Sequence, residues 1–335
     1  MGEGRAPLPI VPPPFPDERL SSWLERIADV YLVSREGLQR HVGWVRPALQ
    51  LEREPVQNDL KRIAAATSSS VQRLLAMTFH DAPARYRDLL LLDSQAFCPG
   101  CSRGMQRPQR LRSWAFAFSF WCERHRQPLV SCNTRGASAL GDYWIARQGA
   151  QILHRWAMGG DSDTLSVSAI LSLLLSPVRE ASPAAPWELA GLPFSCQHEP
   201  SIRSQRFRRP ALTVVVPEFR VAVPIYEQQL PSAISDLPDT SGAERYALAI
   251  GVARVLQDPA DAIVRILEAS DEFGRKKVTA LIDRWPTAIR SAVDRRAPCT
   301  RRRGEGARAA TSPRVNRSRV RAPSARDPGR DQADA

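Results

Sequence analysis

Two short pairs of metal-ligating side chains lie close together in a sequence with only six cysteines. Cys98 and Cys101 flank Pro-Gly, and Cys122 and His125 flank Glu-Arg, so the order is C-x2-C, twenty residues, then C-x2-H. The Pro-Gly pair suits a tight turn, because proline fixes φ and glycine permits a positive φ. Three thiolates and one imidazole fill the tetrahedral coordination sphere of Zn²⁺ and leave no open position for a substrate. The spacing therefore predicts one structural zinc ion, with four buried, metal-free side chains as the alternative.

Familiar catalytic motifs are absent from the sequence. Zinc-dependent nucleic-acid deaminases combine H-x-E with a later P-C-x-x-C. Here Phe97 precedes Cys98, and neither His41 nor His80 has a glutamate two positions later. The sequence also lacks G-x-x-x-x-G-K-[ST], G-x-S-x-G and H-E-x-x-H. We therefore predict that the protein is not an enzyme.

The segment between the two ligand pairs is aromatic and basic. Its aromatic residues recur at every second position: Trp114, Phe116, Phe118 and Phe120. This period predicts a half-buried strand or an aromatic pad, and four arginines lie just upstream, between positions 103 and 112. Aromatic and arginine side chains can stack on nucleic-acid bases. The other interpretation is core packing surrounded by solvated arginines.

Upstream of the ligands, apolar residues recur with helical spacing. In "DERLSSWLERIADVYLVSREGLQRHV" they predict two short helices, with Asp17 as the N-cap of the first and Ser34 as the N-cap of the second. The stretch "NDLKRIAAATSSSVQRLLAMTF" repeats this pattern. Two helices joined by a tight turn can read DNA as a helix-turn-helix, but they are also a common packing unit of helical domains.

Composition and charge indicate the cellular setting. The chain has 335 residues, 43% of them hydrophobic, which is enough for two domains with a core. It has neither a signal-peptide pattern nor an apolar run that could span a bilayer, so a cytoplasmic protein with reduced thiols is expected. Residues 295–335 hold twelve arginines against four acidic residues, which is +8 of the net charge of +12. We expect this tail to be disordered; it either contacts DNA phosphates non-specifically or is a solvated tail without function.

The predicted fold is mainly α-helical with a small zinc-binding module. Prolines recur between 177 and 242 around "ALTVVVPEFRVAVPI", which predicts a short β-hairpin in an irregular connector. The predicted regions are a Pro-rich segment 1–16, a helical, helix-turn-helix-like region 17–93, the zinc-binding module 94–136, a helical region 137–176, the Pro-rich connector 177–242, a C-terminal helical region 243–294 and the Arg-rich tail 295–335.

Three stretches together resemble one known family. "LPIVPPPFPDERLSSWLERIADVYLVS" is followed by "LKRIAAATSSSVQRLLAMTF" and then by the order C-x2-C, R-x-W, C-x2-H, x2-P-L, x2-C. Over roughly residues 7 to 136, this pattern resembles the TniQ family of transposition proteins, which includes the TnsD target selectors. The resemblance implies a helix-turn-helix followed by zinc-binding motifs. It also implies that the protein marks an insertion target and passes it to an AAA+ ATPase, which recruits the transposase.

Two positions depart from the family pattern. The family usually follows C-x2-H with a further C-x2-C and glycine, but here Arg135 stands where the second cysteine after Cys132 is expected. Glu123 replaces the usual proline after the third cysteine. One zinc ion is therefore expected, not two, and Cys132 is a vestige, a free thiol or a substitute ligand.

The resemblance also suggests partners and a DNA-contacting surface. The partners would be DNA, a TniB- or TnsC-like AAA+ ATPase and, indirectly, a transposase. No membrane contact is expected, and the sequence leaves open whether the chain forms a homodimer. The second helix of the first pair would carry Arg35, Gln39 and Arg40 on its exposed side, where arginine could bond guanine and glutamine could bond adenine. A solvated face or an ATPase contact is the other interpretation of these residues. The alternative function is a zinc-dependent, DNA-binding transcriptional regulator.

Overall fold

The computed structural model of the chain describes residues 6–130, 140–160, 165–179, 192, 194–197, 199–200, 208–223, 231 and 234–297. This part of the chain is mainly helical, which confirms the predicted fold class. None of the helices described is both long and apolar enough to cross a membrane. Two predicted features lie outside these residues: Cys132 with Arg135, and the tail beyond residue 297.

The elements fall into an N-terminal group, a small central module and a C-terminal group. The N-terminal helices are α1 Leu20–Val30, α2 Arg35–Val42, α3 Ala48–Arg53, α4 Gln57–Thr67, α5 Val71–Leu75 and α6 Ala84–Asp88. The central module contains the 3-10 turn Arg112–Trp114 and the strands β1 Trp121–Cys122 and β2 Gln127–Pro128. The C-terminal elements are α7 Tyr143–Ala157, α8 Val167–Leu174, β3 Pro177–Arg179, α9 Phe194–Gln197, β4 Arg208–Pro210, α10 Leu212–Val215, α11 Pro217–Ala222, the 3-10 helix Ile234–Asp239, α12 Gly242–Gln257, α13 Pro259–Ala269, α14 Glu272–Ile282 and α15 Thr287–Arg296.

The N-terminal helices pack around the apolar face of α1. Trp23, Leu24 and Ile27 are buried there, as their spacing predicts. The hydroxyl of Ser34 accepts a hydrogen bond of 3.0 Å from the Gly37 N–H, which confirms Ser34 as the N-cap of α2. The first helix pair is therefore positioned by its own core and by a local cap.

The predicted N-cap of α1 is wrong. α1 begins at Leu20, and Asp17 lies outside it with φ of 59°. The Asp17 carboxylate instead accepts a hydrogen bond of 3.0 Å from the Ser113 N–H. Its carbonyl accepts one of 2.8 Å from the Arg112 N–H. A contact with the central module has replaced the local cap, and the local sequence gives no sign of that contact.

The C-terminal group is organised around α12, which is buried along most of its length. Ser241 and Glu244 form a capping box at its start. α7 crosses α12 where Gly149 lies against Ala249: a Cβ added to Gly149 would lie 1.8 Å from the Ala249 carbonyl oxygen. The two helix backbones can approach this closely only because residue 149 has no side chain.

We expect Gly149→Ala to lower the free energy of unfolding by about 1–3 kcal/mol, because α7 and α12 must move apart to accommodate the methyl group. Urea denaturation of the full chain measures this change. Gly37→Ala in α2 is the matched control, since its added Cβ would meet other atoms only at 3.5 Å. Equal stability of the two variants would contradict the role assigned to the close crossing.

The hairpin predicted in "ALTVVVPEFRVAVPI" is wrong. Residues 212–215 and 217–222 form the short helices α10 and α11, and Pro217 occupies the first turn of α11. Leu212, Val215 and Phe219 are buried in the core that α12 shares. Burial against that helix overrides the β propensity of the valines. A two-stranded antiparallel sheet does lie in this region, but β3 and β4 form it.

The predicted aromatic strand is also absent from the central module. After the 3-10 turn the chain turns repeatedly, and Phe116 makes only an isolated bridge with Leu90. Phe116 and Phe118 are buried in the core shared with the C-terminal helices. Without a neighbouring strand to pair with, the alternating aromatics serve as core residues, which agrees with the core-packing interpretation.

Candidate metal centre

The two ligand pairs are brought together by short antiparallel pairings. β1 and β2 pair Cys122 with Gln127, and the turn between them carries His125. A separate bridge pairs Phe97 with Val130. These pairings place the C-x2-C turn beside the C-x2-H turn, although twenty residues separate them in sequence.

The four ligand atoms form a compact cluster. The Nδ1 atom of His125 lies 3.5 Å from Cys98 Sγ, 3.2 Å from Cys101 Sγ and 3.7 Å from Cys122 Sγ. Cys101 Sγ and Cys122 Sγ are 3.7 Å apart, and all the ligand atoms lie within 4.8 Å of one another. A tetrahedral zinc ion with Zn–S of about 2.3 Å and Zn–N of about 2.0–2.1 Å requires edges of about 3.5–3.8 Å. The cluster could therefore hold one metal ion of the size of Zn²⁺.

Gly100 allows the two turns to approach. A Cβ added at this position would lie 2.7 Å from Cγ of the His125 ring and 3.0 Å from Nε2 of Gln127. Any larger residue in the C-P-G-C turn would push the imidazole away from the sulfurs. Gly100 is not among the glycines with a positive φ, so packing against His125 requires the glycine and the backbone conformation of the turn does not.

The environment of the sulfur atoms differs from one cysteine to the next. Burial by itself raises the pKa of Cys98, but hydrogen bonds from the Cys101 N–H and from the Gln127 amide outweigh it, and the net pKa is lowered. Gln127 Nε2 lies 3.0 Å from Cys98 Sγ. For Cys101, burial together with the neighbouring Cys122 and Cys98 sulfurs raises the pKa to about 12. The Gln127 amide, which lies outside the ligand set, thus helps to stabilise the Cys98 sulfur, as partners of metal ligands commonly do.

Exposed basic residues flank both ligand turns. Arg103 follows Cys101, and Arg124 and Arg126 lie on either side of His125; all three are exposed. The segment 94–130 contains six arginines and one glutamate, a net charge of +5. Because Arg107, Arg110 and Arg112 form ion pairs with acidic residues of the helical part, the positive charge beside the ligand turns comes from Arg103, Arg124 and Arg126.

Comparison with known families agrees with the resemblance noted in the sequence. Residues 9–129 match the family model TniQ. The chain carries a TniQ domain. It spans α1 to α6 and the central module and contains all four clustered ligands, which suggests a transposition-associated protein. No curated protein and no solved structure matches the chain.

The "DERLSSWLER" stretch of the TniQ domain forms a buried ionic network. Arg19 donates to Glu52 at 2.6 Å, and the side chains are 1% and 0% exposed. Glu18 accepts hydrogen bonds from Ser22 at 3.1 Å and from Arg26 at 2.8 Å. Sequence reasoning missed Glu52, because an isolated glutamate in a short helix gives no sign that it is buried.

The same stretch joins the helical part of the TniQ domain to the central module. The Arg19 N–H donates to the Arg110 carbonyl at 3.0 Å, and the Arg110 N–H donates to the Ser22 hydroxyl at 3.1 Å. The Arg110 guanidinium also forms an ion pair with Glu25. The ligand cluster is therefore anchored to α1.

The three residues predicted to contact DNA share helix α2, and all three interact with other groups of the chain. Arg35 forms ion pairs with Glu25 at 3.2 Å and with Glu36 at 3.4 Å. The Gln39 amide donates to the Val45 carbonyl at 2.8 Å. Arg40 is exposed. Nothing in the geometry tests the predicted DNA contact directly, and these residues remain candidates.

Proposed function

We propose that this protein is a target-selection adaptor in transposition, which binds DNA and recruits an AAA+ ATPase without catalysing a reaction itself. The observation that carries this proposal is the TniQ match, which encloses both the helical region and the ligand cluster. In this proposal, the surface that binds DNA and the surface that binds the ATPase keep a fixed orientation relative to each other. The hydrogen bonds between α1 and residues 110–113 support such a fixed relation.

We infer that Cys98, Cys101, Cys122 and His125 hold one structural zinc ion. Four protein ligands close the coordination sphere, so the ion would stabilise the fold and would not bind substrate. The sulfur and nitrogen donors, with spacings of 3.2–3.7 Å, support zinc over the oxygen-preferring cations. The role of this zinc would be to fix the orientation of the arginines beside the two ligand turns.

Several exposed cations support contact with the DNA backbone. Besides Arg103, Arg124 and Arg126 in the module, Lys61 and Arg73 are exposed on α4 and α5. Binding that depends on phosphate neutralisation needs such cations and weakens as salt concentration rises. Base contacts would then come from α2, where Arg35, Gln39 and Arg40 are the candidates.

The triple variant Arg35→Ala, Gln39→Ala, Arg40→Ala tests whether α2 contacts DNA or the ATPase. We expect it to weaken binding to target DNA about tenfold while recruitment of the ATPase is unchanged, because arginine and glutamine pair with base edges. Fluorescence anisotropy with duplex target DNA measures the first, and capture of the ATPase on the immobilised protein measures the second.

Two control variants make this result interpretable. Gln39→Ala alone isolates the loss of the Val45 hydrogen bond, and Arg284→Ala removes an exposed arginine far along the chain. Loss of ATPase capture alone would place α2 at the protein interface. DNA binding by the unaltered protein without any ATPase recruitment would favour the alternative, a zinc-dependent transcriptional regulator.

A further inference from the structure

A cavity of about 440 Å³ lies between the central module, the start of the TniQ domain and the helices α7 and α12. Its walls are largely aromatic: Phe118, Phe120 and Trp121 come from the module, Tyr143 from α7 and Tyr246 from α12. The Trp121 and Tyr143 rings lie 4.0 Å apart, and the Phe120 and Tyr246 rings lie 5.1 Å apart. A volume of this size falls in the range of ligand pockets in proteins.

Two polar groups of the cavity wall are buried without a hydrogen-bond partner among the described residues. They are the indole Nε1 of Trp121 and the hydroxyl of Tyr143. A buried donor without a partner costs free energy, so buried donors usually have one. Both atoms are almost completely covered by neighbouring groups, so each ring must turn before it can donate to an acceptor in the cavity.

The charges around the cavity suit a ligand with a negatively charged backbone. Arg124 lines the cavity and is exposed, so it lies at the opening. Glu123, the acidic residue that lines the cavity, forms an ion pair with Arg147, which weakens its repulsion of an anionic ligand. Burial lowers the pKa of His154 and so favours its neutral form. Burial raises the pKa of Tyr246 to about 12 and also raises that of Tyr143, so both phenols keep their protons.

We propose that this cavity binds an unpaired nucleobase of a nucleic-acid strand, with Arg124 contacting the adjoining phosphate. Aromatic side chains stack on any base, and a turn of the Trp121 and Tyr143 rings would let them donate to the carbonyl oxygens of that base. The exposed Arg124 favours a ligand that carries a phosphate beside its aromatic group, which an aromatic side chain of a protein partner does not. The proposal rests on the proposed nucleic-acid function and adds a specific site to it.

A pair of short oligonucleotides tests base binding by the full-length protein. Hexathymidylate and an abasic hexamer carry the same phosphates and differ only in their bases. We expect the thymidylate hexamer to bind about tenfold more tightly, because stacking is available to it alone. Fluorescence anisotropy gives both affinities, and hexauridylate in the same assay shows whether RNA serves as well as DNA.

Three substitutions test whether the cavity is the cause of this difference in affinity. Ala150→Leu fills the cavity from α7, and Tyr143→Phe removes one donor; both should reduce the preference for the hexamer that has bases. Gln148→Leu adds the same side chain at an exposed position of α7 and should leave the preference intact. Thermal denaturation checks that all three variants are folded.

The outcomes separate this proposal from the proposed function. Equal binding of both hexamers by the unaltered protein, or a preference that survives Ala150→Leu, would overturn base binding. If duplex target DNA still binds in that case, the adaptor function stands; if no nucleic acid binds, both fall. Loss of ATPase recruitment in Ala150→Leu, without any preference between hexamers, would overturn base binding and assign the cavity to the protein partner.

Discussion

Cys122→Ser is expected to abolish the bound zinc and to unfold the central module. The unaltered chain should contain one zinc ion, because three sulfur donors and one nitrogen donor lie within 4.8 Å of one another and can surround a single tetrahedral ion. Structural zinc contributes about 10–16 kcal/mol of binding free energy in small zinc-dependent domains, so this loss should exceed that of any single apolar contact. Elemental analysis of purified protein measures the metal, and circular dichroism with thermal denaturation measures the folding.

Cys196→Ser is the matched control, since Cys196 is half-buried and lies outside the cluster. It should retain the metal and the melting temperature of the unaltered chain. The helix pair α1 and α2 should remain largely helical in Cys122→Ser, because its apolar residues form a core of their own. A metal-free but fully stable wild-type protein would refute the zinc site. Two zinc ions per chain would mean that a further ligand set exists.

Glu52→Gln should destabilise the TniQ domain by about 3–5 kcal/mol, because it leaves the guanidinium of Arg19 buried without a counter-charge. Glu52 accepts hydrogen bonds from Arg19 Nε at 3.0 Å and Nη2 at 2.6 Å, and also from the Ser21 N–H at 2.7 Å. The double variant Arg19→Met, Glu52→Leu should recover a large part of the loss, since apolar residues can replace a buried ion pair. Urea denaturation of the single and double variants measures both effects.

The exposed pair Arg53–Asp88 offers a control of the same chemistry. Its side chains are 48% and 56% exposed and lie 3.4 Å apart. Asp88→Asn should change the free energy of unfolding by less than about 1 kcal/mol, because water screens exposed pairs. Similar losses in Glu52→Gln and Asp88→Asn would show that burial does not set the strength of the Arg19–Glu52 interaction.

The features that could be predicted from the sequence are those determined by local spacing. Ser34 caps α2 and the α1 face is buried, because both depend on neighbours within a few residues. The four candidate ligands lie together as predicted, because each C-x2 pair is set by a local turn.

The features that were missed depend on contacts distant in sequence. Arg19 and Glu52 are 33 residues apart, and a charged residue beside an apolar face usually lies in water. The valines of α10 and α11 have strand propensity, but packing against α12 keeps them helical. The aromatic cavity combines residues from the module, α7 and α12, which no periodicity relates.

The interlocking of α1 with the module constrains how this protein can be divided. The backbone pairing of Glu18 with Leu111, and the hydrogen bonds of Asp17, Arg19 and Ser22 to residues 110–113, cross the gap between the two halves of the TniQ domain. A recombinant fragment that stops at residue 93 would leave the polar groups of this stretch facing water instead of their partners. Gene fusions and chimaeras between related chains should therefore exchange residues 9–129 as one block and place their junctions beyond Leu129.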